Sequence, residues 1–356
     1  MPQIYMQKAL ELAEKARGQT SPNPLVGAVV VKDGQIVGQG YHQKAGTPHA
    51  EIHALREAGA KARGACLYVT LEPCCHWGRT GPCTQAIIQA GIAEVYAAMA
   101  DPNPLVAGKG LAQLEQAGIK THCGLLEEQS RQMNEIFLTY ITQNRPWIVL
   151  KAAMSLDGKI ATSSGDSKWI TGEAARQYGR RLRGELDAIL VGIGTVLADN
   201  PALTTRLPGA KNPLRIVLDN QARTPLTAQI LQPEAPTLIV VSRQAPAARV
   251  AALQQTGAEV WVMDSEQIEL PDLLAGLKKR EISSLLVEGG GQIHAAFLPW
   301  ADKFLWFIAP KIIGGSSAPG PIGGAGIQKM TEAVNLERMQ FKKLGEDLLI
   351  EAWQKR

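Results

Sequence analysis

The chain has 356 residues, of which 45% are hydrophobic and 20% charged, so it is long enough to bury two ordinary domain cores. Its 37 basic and 33 acidic residues are well mixed and give a net charge of +4. This mixture argues against a dedicated nucleic-acid binder, and the lack of any long apolar run argues against a membrane protein.

The N-terminal segment 1–16 has an amphipathic helix pattern with charges inside it, unlike the apolar core of a secretory signal. We therefore expect a cytoplasmic protein. Its five cysteines all lie in the N-terminal part of the chain, at Cys66, Cys74, Cys75, Cys83 and Cys123. An odd number of thiols in a reducing compartment favours metal binding or catalysis over disulfides.

The first part of the chain alternates helices and strands, which predicts an α/β layered domain. The predicted elements are a helix over 4–17, strands over 26–31 and 35–41, a helix over 49–59, a strand over 66–70, a helix over 83–91, a strand over 94–99 and a helix over 109–117. Pro146 cannot extend a helix and pushes Arg145 towards extended geometry. We expect the domain boundary here, with one domain over 1–144 and a second over 145–356.

The second part contains short apolar runs, which are typical of buried parallel strands. They cover 147–152, 188–191, 215–218, 238–241, 260–263 and 285–287, and helical patterns over 173–183 and 273–280 separate several of them. The run 304–313 and the tail ending at Trp353 are expected to add edge strands, and 314–326 is a loop rich in glycine and proline. The second domain is therefore also predicted to be α/β.

The strongest chemical signal is His49-Ala50-Glu51 at a predicted helix start, followed by Pro73-Cys74 and Pro82-Cys83. Zinc deaminases hold the metal with one imidazole and two thiolates and leave a fourth position for water. His49, Cys74 and Cys83 supply that set. The metal lowers the pKa of water to about 7, and Glu51 is predicted to move the proton from water to the ring and to the departing amine.

Each part of this pattern also occurs in proteins that bind no metal. A His-x-Glu pair alone is common at exposed helix starts, and cysteines are often inert buried residues. Cys75 competes with Cys74 as a ligand, although its neighbour Pro73 favours Cys74. The usual signature also has two residues between the cysteines, whereas eight separate them here. The inserted loop carries His76, Trp77 and Arg79, which suit a phosphorylated heterocycle.

With these motifs in view, the chain resembles the bifunctional riboflavin-biosynthesis deaminase/reductase family over nearly its full length. The matching stretches are Ser21-Pro22-Asn23-Pro24-Leu25-Val26-Gly27, His49-Ala50-Glu51, Pro73-Cys74-Cys75-His76-Trp77-Gly78-Arg79-Thr80, Asp101-Pro102-Asn103-Pro104 and Ser155-Leu156-Asp157-Gly158-Lys159-Ile160-Ala161. The resemblance implies a cytidine-deaminase-like α/β/α domain followed by a dihydrofolate-reductase-like α/β domain. Gly81 stands where the family pattern has proline.

The resemblance also implies the two reactions. A zinc-dependent hydrolysis removes the 2-amino group of 2,5-diamino-6-(5-phosphoribosylamino)pyrimidin-4-one, and NADPH then reduces the ribosyl side chain to ribityl. The implied partners are Zn²⁺, NADPH and a small phosphorylated pyrimidine, with no nucleic acid and no membrane. A homo-oligomer is expected.

Site residues carried over by the resemblance fall into three groups. Around the pyrimidine and its ribosyl phosphate in the deaminase lie Asn23, His42 and His76, each of which alone is as easily a turn cap or a structural histidine. On the cofactor side of the reductase lie Ala153, Thr195, Gly290, Gly291, Gln292, Ile293, His294, Ala295 and Ala296. On its substrate side lie Lys151, Ser167, Trp169, Arg183, Asp199, Leu203, Arg206 and Glu288.

Several of these reductase residues have a physical reason for their role. The glycine turn 289–291 follows a strand and opens a helix, where backbone N–H groups can meet a pyrophosphate, although such turns are often plain architecture. Arg183 and Arg206 suit a phosphate clamp because guanidinium binds phosphate bidentately; either one alone is as easily a surface arginine. Lys151 is placed to contact the ribosyl hydroxyls or to assist proton transfer. Trp169 is otherwise expected in the core.

Two further hypotheses remain open. A nucleobase or nucleic-acid deaminase with an unrelated appended domain would need a basic, aromatic groove and a short cysteine spacing. A zinc-stabilised binding protein without catalysis would not need Glu51, since a structural site closes its fourth position with a ligand.

Overall fold

The chain divides after Arg145 into two units, Met1–Arg145 and Pro146–Arg356, each built around a sheet of its own. The computed structural model describes residues 2–77, 81–104 and 106–355. Among the described helices, none combines the length and apolar character needed to cross a bilayer.

The first unit has six helices and five strands in its described part. The helices are α1 Pro2–Glu14, α2 Ala50–Ala58, α3 Cys83–Ala90, α4 Lys109–Gln116, α5 Glu127–Met133 and α6 Glu135–Thr142. The strands are β1 Gly27–Lys32, β2 Gln35–Tyr41, β3 Cys66–Val69, β4 Glu94–Ala97 and β5 Lys120–Cys123. The sheet order is β2-β1-β3-β4-β5; β1 pairs antiparallel with β2 and β3, and β3, β4 and β5 run parallel.

Alternating side chains of β1 point to opposite faces of the sheet, and helices cover both faces. Ala28 and Val30 pack into the cluster that contains α2, α3 and α4, whereas Val29 and Val31 pack with Met6 and other residues of α1. The expected α/β/α layering is therefore confirmed. The predicted elements of this unit are also present, with ends shifted by at most three residues.

Close contacts between helix and sheet place α2 directly against β2. A Cβ on Gly40 would lie 2.6 Å from the carbonyl oxygen of Ala50, and one on Gly38 would lie 2.2 Å from that of Ala54. Glycine at these two positions of β2 lets α2 lie directly on the sheet. His49, the N-cap of α2, is thereby held near the sheet.

The second unit has five helices and nine strands in its described part. The helices are α7 Glu173–Glu185, α8 Ile193–Asp199, α9 Ala247–Gln255, α10 Leu270–Lys279 and α11 Gly291–Phe297. The strands are β6 Trp147–Ser155, β7 Ala188–Gly192, β8 Leu214–Leu218, β9 Thr237–Val241, β10 Glu259–Val262, β11 Ser284–Val287, β12 Lys303–Ala309, β13 Leu336–Leu344 and β14 Asp347–Gln354. The sheet order is β10-β9-β8-β7-β11-β6-β12-β14-β13.

The seven strands from β10 to β12 run parallel, and the hairpin β13–β14 is added antiparallel. The expected α/β organisation and the predicted apolar strands are confirmed. The prediction that the run 304–313 is an edge strand is wrong. β12 ends at Ala309 and lies inside the sheet between β6 and β14. This position buries its apolar side chains, such as Phe304, Leu305 and Phe307. β13 forms the edge.

In an open parallel sheet, ligands bind beyond the carboxyl ends of the strands. In this unit, the last residues of β6, Gly192 at the end of β7, and Glu288 immediately after β11 lie at those ends. Some of the residues named from the sequence for the reductase site, such as Ser167, Trp169 and Glu288, come from the segments that follow these ends, whereas Lys151 lies within β6 and Arg183 on α7.

Candidate active sites

Three side chains in the first unit converge on one point. The Nδ1 atom of His49 lies 3.2 Å from the sulfur of Cys83 and 3.5 Å from that of Cys74, and all three ligand atoms lie within 4.8 Å of one another. His49 is the N-cap of α2, Cys83 is the first residue of α3, and Cys74 follows β3. Among the described residues this is the one His/Cys/Asp/Glu group of metal-binding size, and Cys75 is outside it.

The protonation of this cluster fits a cation. A hydrogen bond from Cys83 lowers the pKa of Cys74 to about 4, and the same bond raises the pKa of Cys83. The hydrogen bond with Cys74 also raises the pKa of His49. Cys74 is therefore the more acidic of the two thiols, and the backbone N–H of Cys83 donates to its sulfur at 3.4 Å. One imidazole and two sulfurs at this separation match the donor set that zinc prefers.

Glu51 lies on the first turn of α2 beside the cluster. Its side chain is nearly fully buried, at 3% exposure, and burial raises the pKa of its carboxyl group. The pKa of Cys83 is raised in part by a hydrogen bond with Glu51, which places the carboxyl group at the cluster. A carboxyl group with a raised pKa next to a metal-binding cluster is suited to accept and return a proton.

The loop that carries Cys74 is held by Glu72, a residue that the sequence did not single out. The buried carboxylate of Glu72 accepts N–H groups from Asp101 (3.1 Å), Gly108 (2.9 Å), Gly110 (2.9 Å) and Leu111 (3.2 Å). Because Glu72 lies two positions before Cys74, these bonds connect the cysteine loop to the start of α4 and to the motif 101–104. A buried carboxylate placed just before a Pro-Cys pair is the signal from which this role could have been inferred.

His42 and Asn23 form a pair at the edge of the same site. The Nδ1 atom of His42 lies 3.2 Å from the carbonyl oxygen of Pro48, and its Nε2 atom lies 3.1 Å from Nδ2 of Asn23. Both contacts are satisfied if His42 is neutral, donates from Nδ1 and accepts from Asn23 at Nε2. Burial lowers the pKa of His42, in agreement with that state. His42 therefore orients the side chain of Asn23, whose amide oxygen has no hydrogen-bond partner among the described residues and is open to a ligand.

The inserted cysteine loop is described only in part. Trp77 is 76% exposed, and the Nδ1 atom of His76 is buried without a hydrogen-bond partner among the described residues. Arg79 lies outside the described residues. A buried ring nitrogen without a partner is one that a bound ligand can satisfy.

A cavity of about 550 Å³ in the second unit collects the substrate-side residues named from the sequence. All eight substrate-side residues line it: Lys151, Ser167, Trp169, Arg183, Asp199, Leu203, Arg206 and Glu288. Ala153, Thr195 and Gly290, which were named for the cofactor side, line it as well. Trp169 is 63% exposed, so the expectation of a core position for it is wrong.

The charged centre of this cavity is Glu288. Arg183 donates to it twice, from Nε at 3.2 Å and from Nη2 at 3.0 Å, and Lys151 Nζ lies 3.5 Å from it. Burial alone would raise the pKa of Glu288, but the charges of Arg183 and Lys151 outweigh it and lower the pKa to about 2. Arg183 also donates from Nη1 to the carbonyl oxygen of Thr204. The guanidinium of Arg183 therefore binds protein groups, namely Glu288 and Thr204. Arg206, in contrast, is exposed and has no hydrogen-bond partner among the described residues.

Three basic residues of the cavity were not named from the sequence: Lys168, Arg176 and Arg180. Arg176 and Arg180 line it from α7, and both pair with Glu173. The guanidinium of Arg176 also lies 4.9 Å from the ring centre of Trp169 and supports that exposed side chain from one side. The signal was available, because positions 176, 180 and 183 follow an i, i+4, i+7 spacing that places three arginines on one helix face.

A second, adjoining groove of about 980 Å³ contains most of the cofactor-side residues. Its lining includes Thr195, Gly290, Gly291, Gln292, Ile293 and Ala296. The three glycines of the turn 289–291 differ in what a side chain would meet at each position. A Cβ on Gly289 would lie 2.5 Å from Ile293, and one on Gly291 would lie 3.0 Å from the carbonyl oxygen of Gly320, whereas Gly290 faces open space. Only at Gly290 does the missing side chain leave room that a ligand can fill.

His294 and Ala295 line neither cavity. His294 is buried, with its Nδ1 atom 2.8 Å from the carbonyl oxygen of Pro321 and its Nε2 atom 3.2 Å from that of Val287. Its side chain thus connects the end of β11 to the loop rich in glycine and proline. Ala295 packs against the same loop, at Gly324.

Comparison with known proteins agrees with this division. Residues 2–99 match the cytidine and deoxycytidylate deaminase zinc-binding region, and residues 146–350 match the RibD C-terminal domain. Riboflavin biosynthesis protein RibD of Aquifex aeolicus is 49% identical over 350 residues, which covers 97% of this chain and 96% of that protein. RibD of Bacillus amyloliquefaciens is 46% identical over 356 residues, covering 99% of this chain and 96% of that protein.

Solved structures agree with these matches. A diaminohydroxyphosphoribosylaminopyrimidine deaminase/5-amino-6-(5-phosphoribosylamino)uracil reductase from Thermotoga maritima superimposes with a TM-score of 0.88 at 37% identity, covering 99% of both chains. Acinetobacter baumannii RibD superimposes with a TM-score of 0.90 at 38% identity, covering 100% of this chain and 99% of that one. The chain therefore belongs to the RibD family of bifunctional riboflavin-biosynthesis proteins.

Proposed function

We propose that the first unit removes the 2-amino group of 2,5-diamino-6-(5-phosphoribosylamino)pyrimidin-4-one and that the second reduces the ribosyl chain of the product to ribityl with NADPH. The observation that carries the first assignment is the buried carboxyl group of Glu51 beside the cluster of His49, Cys74 and Cys83. Membership of the RibD family joins the two activities in one chain.

In the deaminase, His49, Cys74 and Cys83 would hold Zn²⁺, which would make a water molecule nucleophilic at neutral pH. Glu51 takes the proton that this water loses and passes it to the ring nitrogen beside the carbon under attack. It then protonates the departing amine, so that the oxygen of the water remains on the ring as a carbonyl and the 2-amino group leaves as ammonia. The raised pKa of Glu51 matches a group that must both accept and donate in one turnover.

Binding of the pyrimidine is assigned to polar groups around this cluster. The amide oxygen of Asn23, oriented by His42, accepts a ring N–H or amine, and Nδ1 of His76 pairs with a polar atom of the ribosyl phosphate arm. Both are groups whose hydrogen-bonding capacity is left over after the protein contacts are made.

In the reductase, NADPH would supply, when bound, the hydride for the C1′ carbon of the opened ribosyl chain. The groove with Thr195 and Gly290 holds the cofactor beside the substrate cavity, whose lining shares both residues. Lys151, held at 3.5 Å from Glu288, is directed to the sugar hydroxyls or to the nitrogen that gains a proton. Arg206 is assigned to the substrate phosphate.

The alternative of a nucleobase or nucleic-acid deaminase with an unrelated appended domain is not favoured. Residues 146–350 match a domain of the same biosynthetic family, and relatives share both halves. We also place the protein in the cytoplasm, supported by its five free thiols, and expect it to be a homo-oligomer. The edge strand β13 supports association, since eight of its nine residues are exposed.

The test separates the two activities in one protein. Glu51→Gln keeps the shape of the side chain but cannot carry the proton, so ammonia release should fall by at least about a thousandfold. The variant should retain zinc and should still oxidise NADPH when given 5-amino-6-(5-phosphoribosylamino)uracil. Ammonia release at the wild-type rate would remove Glu51 from the mechanism.

A further inference from the structure

Arg215 is a cation buried in the middle of the second unit's sheet. It lies on β8, and its side chain is 0% exposed. No carboxylate lies within ion-pair distance of it among the described residues, and its Nε atom is buried without a hydrogen-bond partner. Burying an unpaired charge is costly, so a residue of this kind calls for a reason beyond filling space.

The guanidinium of Arg215 is instead bonded to three backbone carbonyl groups. Nη1 donates to Ala202 at 3.2 Å, while Nη2 donates to Gln232 at 2.6 Å and also to Ala235. Ala202 precedes Leu203, which lines the substrate cavity. Arg215 thereby joins the floor of that cavity to the turn over 232–235.

The segment 199–206 needs such external support. Three of its non-glycine residues have left-handed backbone conformations, Asn200 at φ 44°, Leu203 at φ 53° and Arg206 at φ 53°. L-residues with side chains adopt this region at an energetic cost, which is accepted only where surrounding contacts fix the chain. Within the same segment, Asp199, Leu203 and Arg206 line the cavity.

Asn212 supports the segment from a second point. Its Oδ1 atom accepts from the backbone N–H of Thr205 at 2.9 Å and from the hydroxyl of Thr205 at 3.0 Å. Its Nδ2 atom donates to the carbonyl oxygen of Glu234 at 2.9 Å. Asn212 and Arg215 therefore connect the same two pieces of chain, 202–205 and 232–235.

We infer that Arg215 and Asn212 are positioning residues of the reductase, which hold the segment 199–206 in the shape that receives the phosphorylated substrate. Neither side chain lines the substrate cavity, so each acts through the backbone of the segment. The inference rests on the proposed reductase function and adds to it the groups that set substrate affinity. Asp199 is the one residue of the segment 199–206 that lines the adjoining cofactor groove. Arg215 and Asn212 should therefore affect the binding of the substrate and leave the affinity for NADPH unchanged.

The experiment compares Arg215→Met and Asn212→Ala with the full-length wild type. The reductase is assayed with 5-amino-6-(5-phosphoribosylamino)uracil and NADPH, NADPH affinity is measured separately by its fluorescence, and thermal unfolding is recorded. Arg249→Met is the matched control, because Arg249 also donates to two carbonyl groups, those of Ala222 (3.0 Å) and Thr224 (2.8 Å), and does not line the substrate cavity.

Both test variants should raise the KM for the pyrimidine at least about tenfold, with NADPH affinity unchanged. The control should leave that KM within about twofold of the wild type. An unchanged KM in Asn212→Ala, whichever way Arg215→Met folds, would overturn the inference. Equal losses of substrate and NADPH affinity, or unfolding of both variants, would also overturn it and assign the two residues to general stability. Failure of the wild type itself to oxidise NADPH would instead contradict the proposed function.

Discussion

Glu51 and Glu288 are both buried carboxyl groups, and their neighbours set them for opposite tasks. Around Glu51, burial dominates and raises the pKa, so the group can gain and lose a proton during turnover. Around Glu288, the charges of Arg183 and Lys151 outweigh burial and lower the pKa to about 2, so the group stays ionised. We propose that Glu51 moves protons, whereas Glu288 holds the two cations Arg183 and Lys151 in the cavity of the second unit.

Replacing Glu288 by Gln should destabilise the second unit by about 3 kcal/mol, because two partly buried cations lose their common counter-charge. The pKa of Glu288 is lowered from 4.5 to about 2, so its stabilising contribution is complete above 4.5 and is lost as the pH falls towards 2. The difference between variant and wild type, measured by urea unfolding, should shrink over that window.

A matched control for this change is Glu259→Gln, which removes the carboxylate of an exposed ion pair with Arg280. That change should cost less than about 1 kcal/mol, since exposed pairs contribute little. Equal destabilisation by the two substitutions, or a Glu288→Gln effect that does not depend on pH, would contradict the assigned ionisation of Glu288.

At the scale of elements, contacts between helices and glycine-containing strands place the deaminase groups. Gly27 on β1 packs under α1, where a Cβ would lie 1.9 Å from the carbonyl oxygen of Ala9. Gly27→Ala should therefore push α1 from the sheet and lower the free energy of unfolding by about 3 kcal/mol. Thermal unfolding measures the change, with Gly194→Ala as a control because a Cβ there meets nothing within 4 Å. Similar unfolding temperatures for the two variants would show that α1 does not pack on β1 in this way.

The sequence predicted elements with a periodic apolar pattern and missed those without one. β5, at Lys120–Cys123, is polar and largely exposed, so nothing in its composition marks a strand. The position of β12 inside the sheet also could not be predicted, because it depends on the antiparallel hairpin β13–β14 added later in the chain. Short apolar runs predict that a strand is buried, and they do not predict its neighbours.

Within the sites, residue type and spacing predicted the metal cluster, because its chemistry allows few residue types. Supporting residues were not predictable in the same way. Glu72 accepts four backbone N–H groups and Arg215 donates to three carbonyl groups, and such partners come from segments distant in sequence. For His42, the motif indicated the site, and only the hydrogen bonds to Pro48 and Asn23 revealed an orienting role.

At the scale of the whole molecule, we propose that each unit carries the groups for one reaction on its own. A mixture of Glu51→Gln, which lacks deamination, and Arg206→Glu, which opposes the substrate phosphate, should therefore restore overall conversion that neither variant performs alone. Ribityl product formation from the diaminopyrimidine at low substrate concentration is the measurement. A mixture no more active than the separate variants would mean that one chain must supply both intact sites.

The central claim is that one zinc ion bound by His49, Cys74 and Cys83 makes the first unit a deaminase. Elemental analysis of the purified protein tests it directly, with Cys83→Ser beside the wild type. We predict about one zinc per chain in the wild type, and loss of both zinc and ammonia release in the variant, with NADPH oxidation retained. A wild-type protein that releases ammonia without a bound transition metal, or a variant that keeps its zinc, would contradict the account.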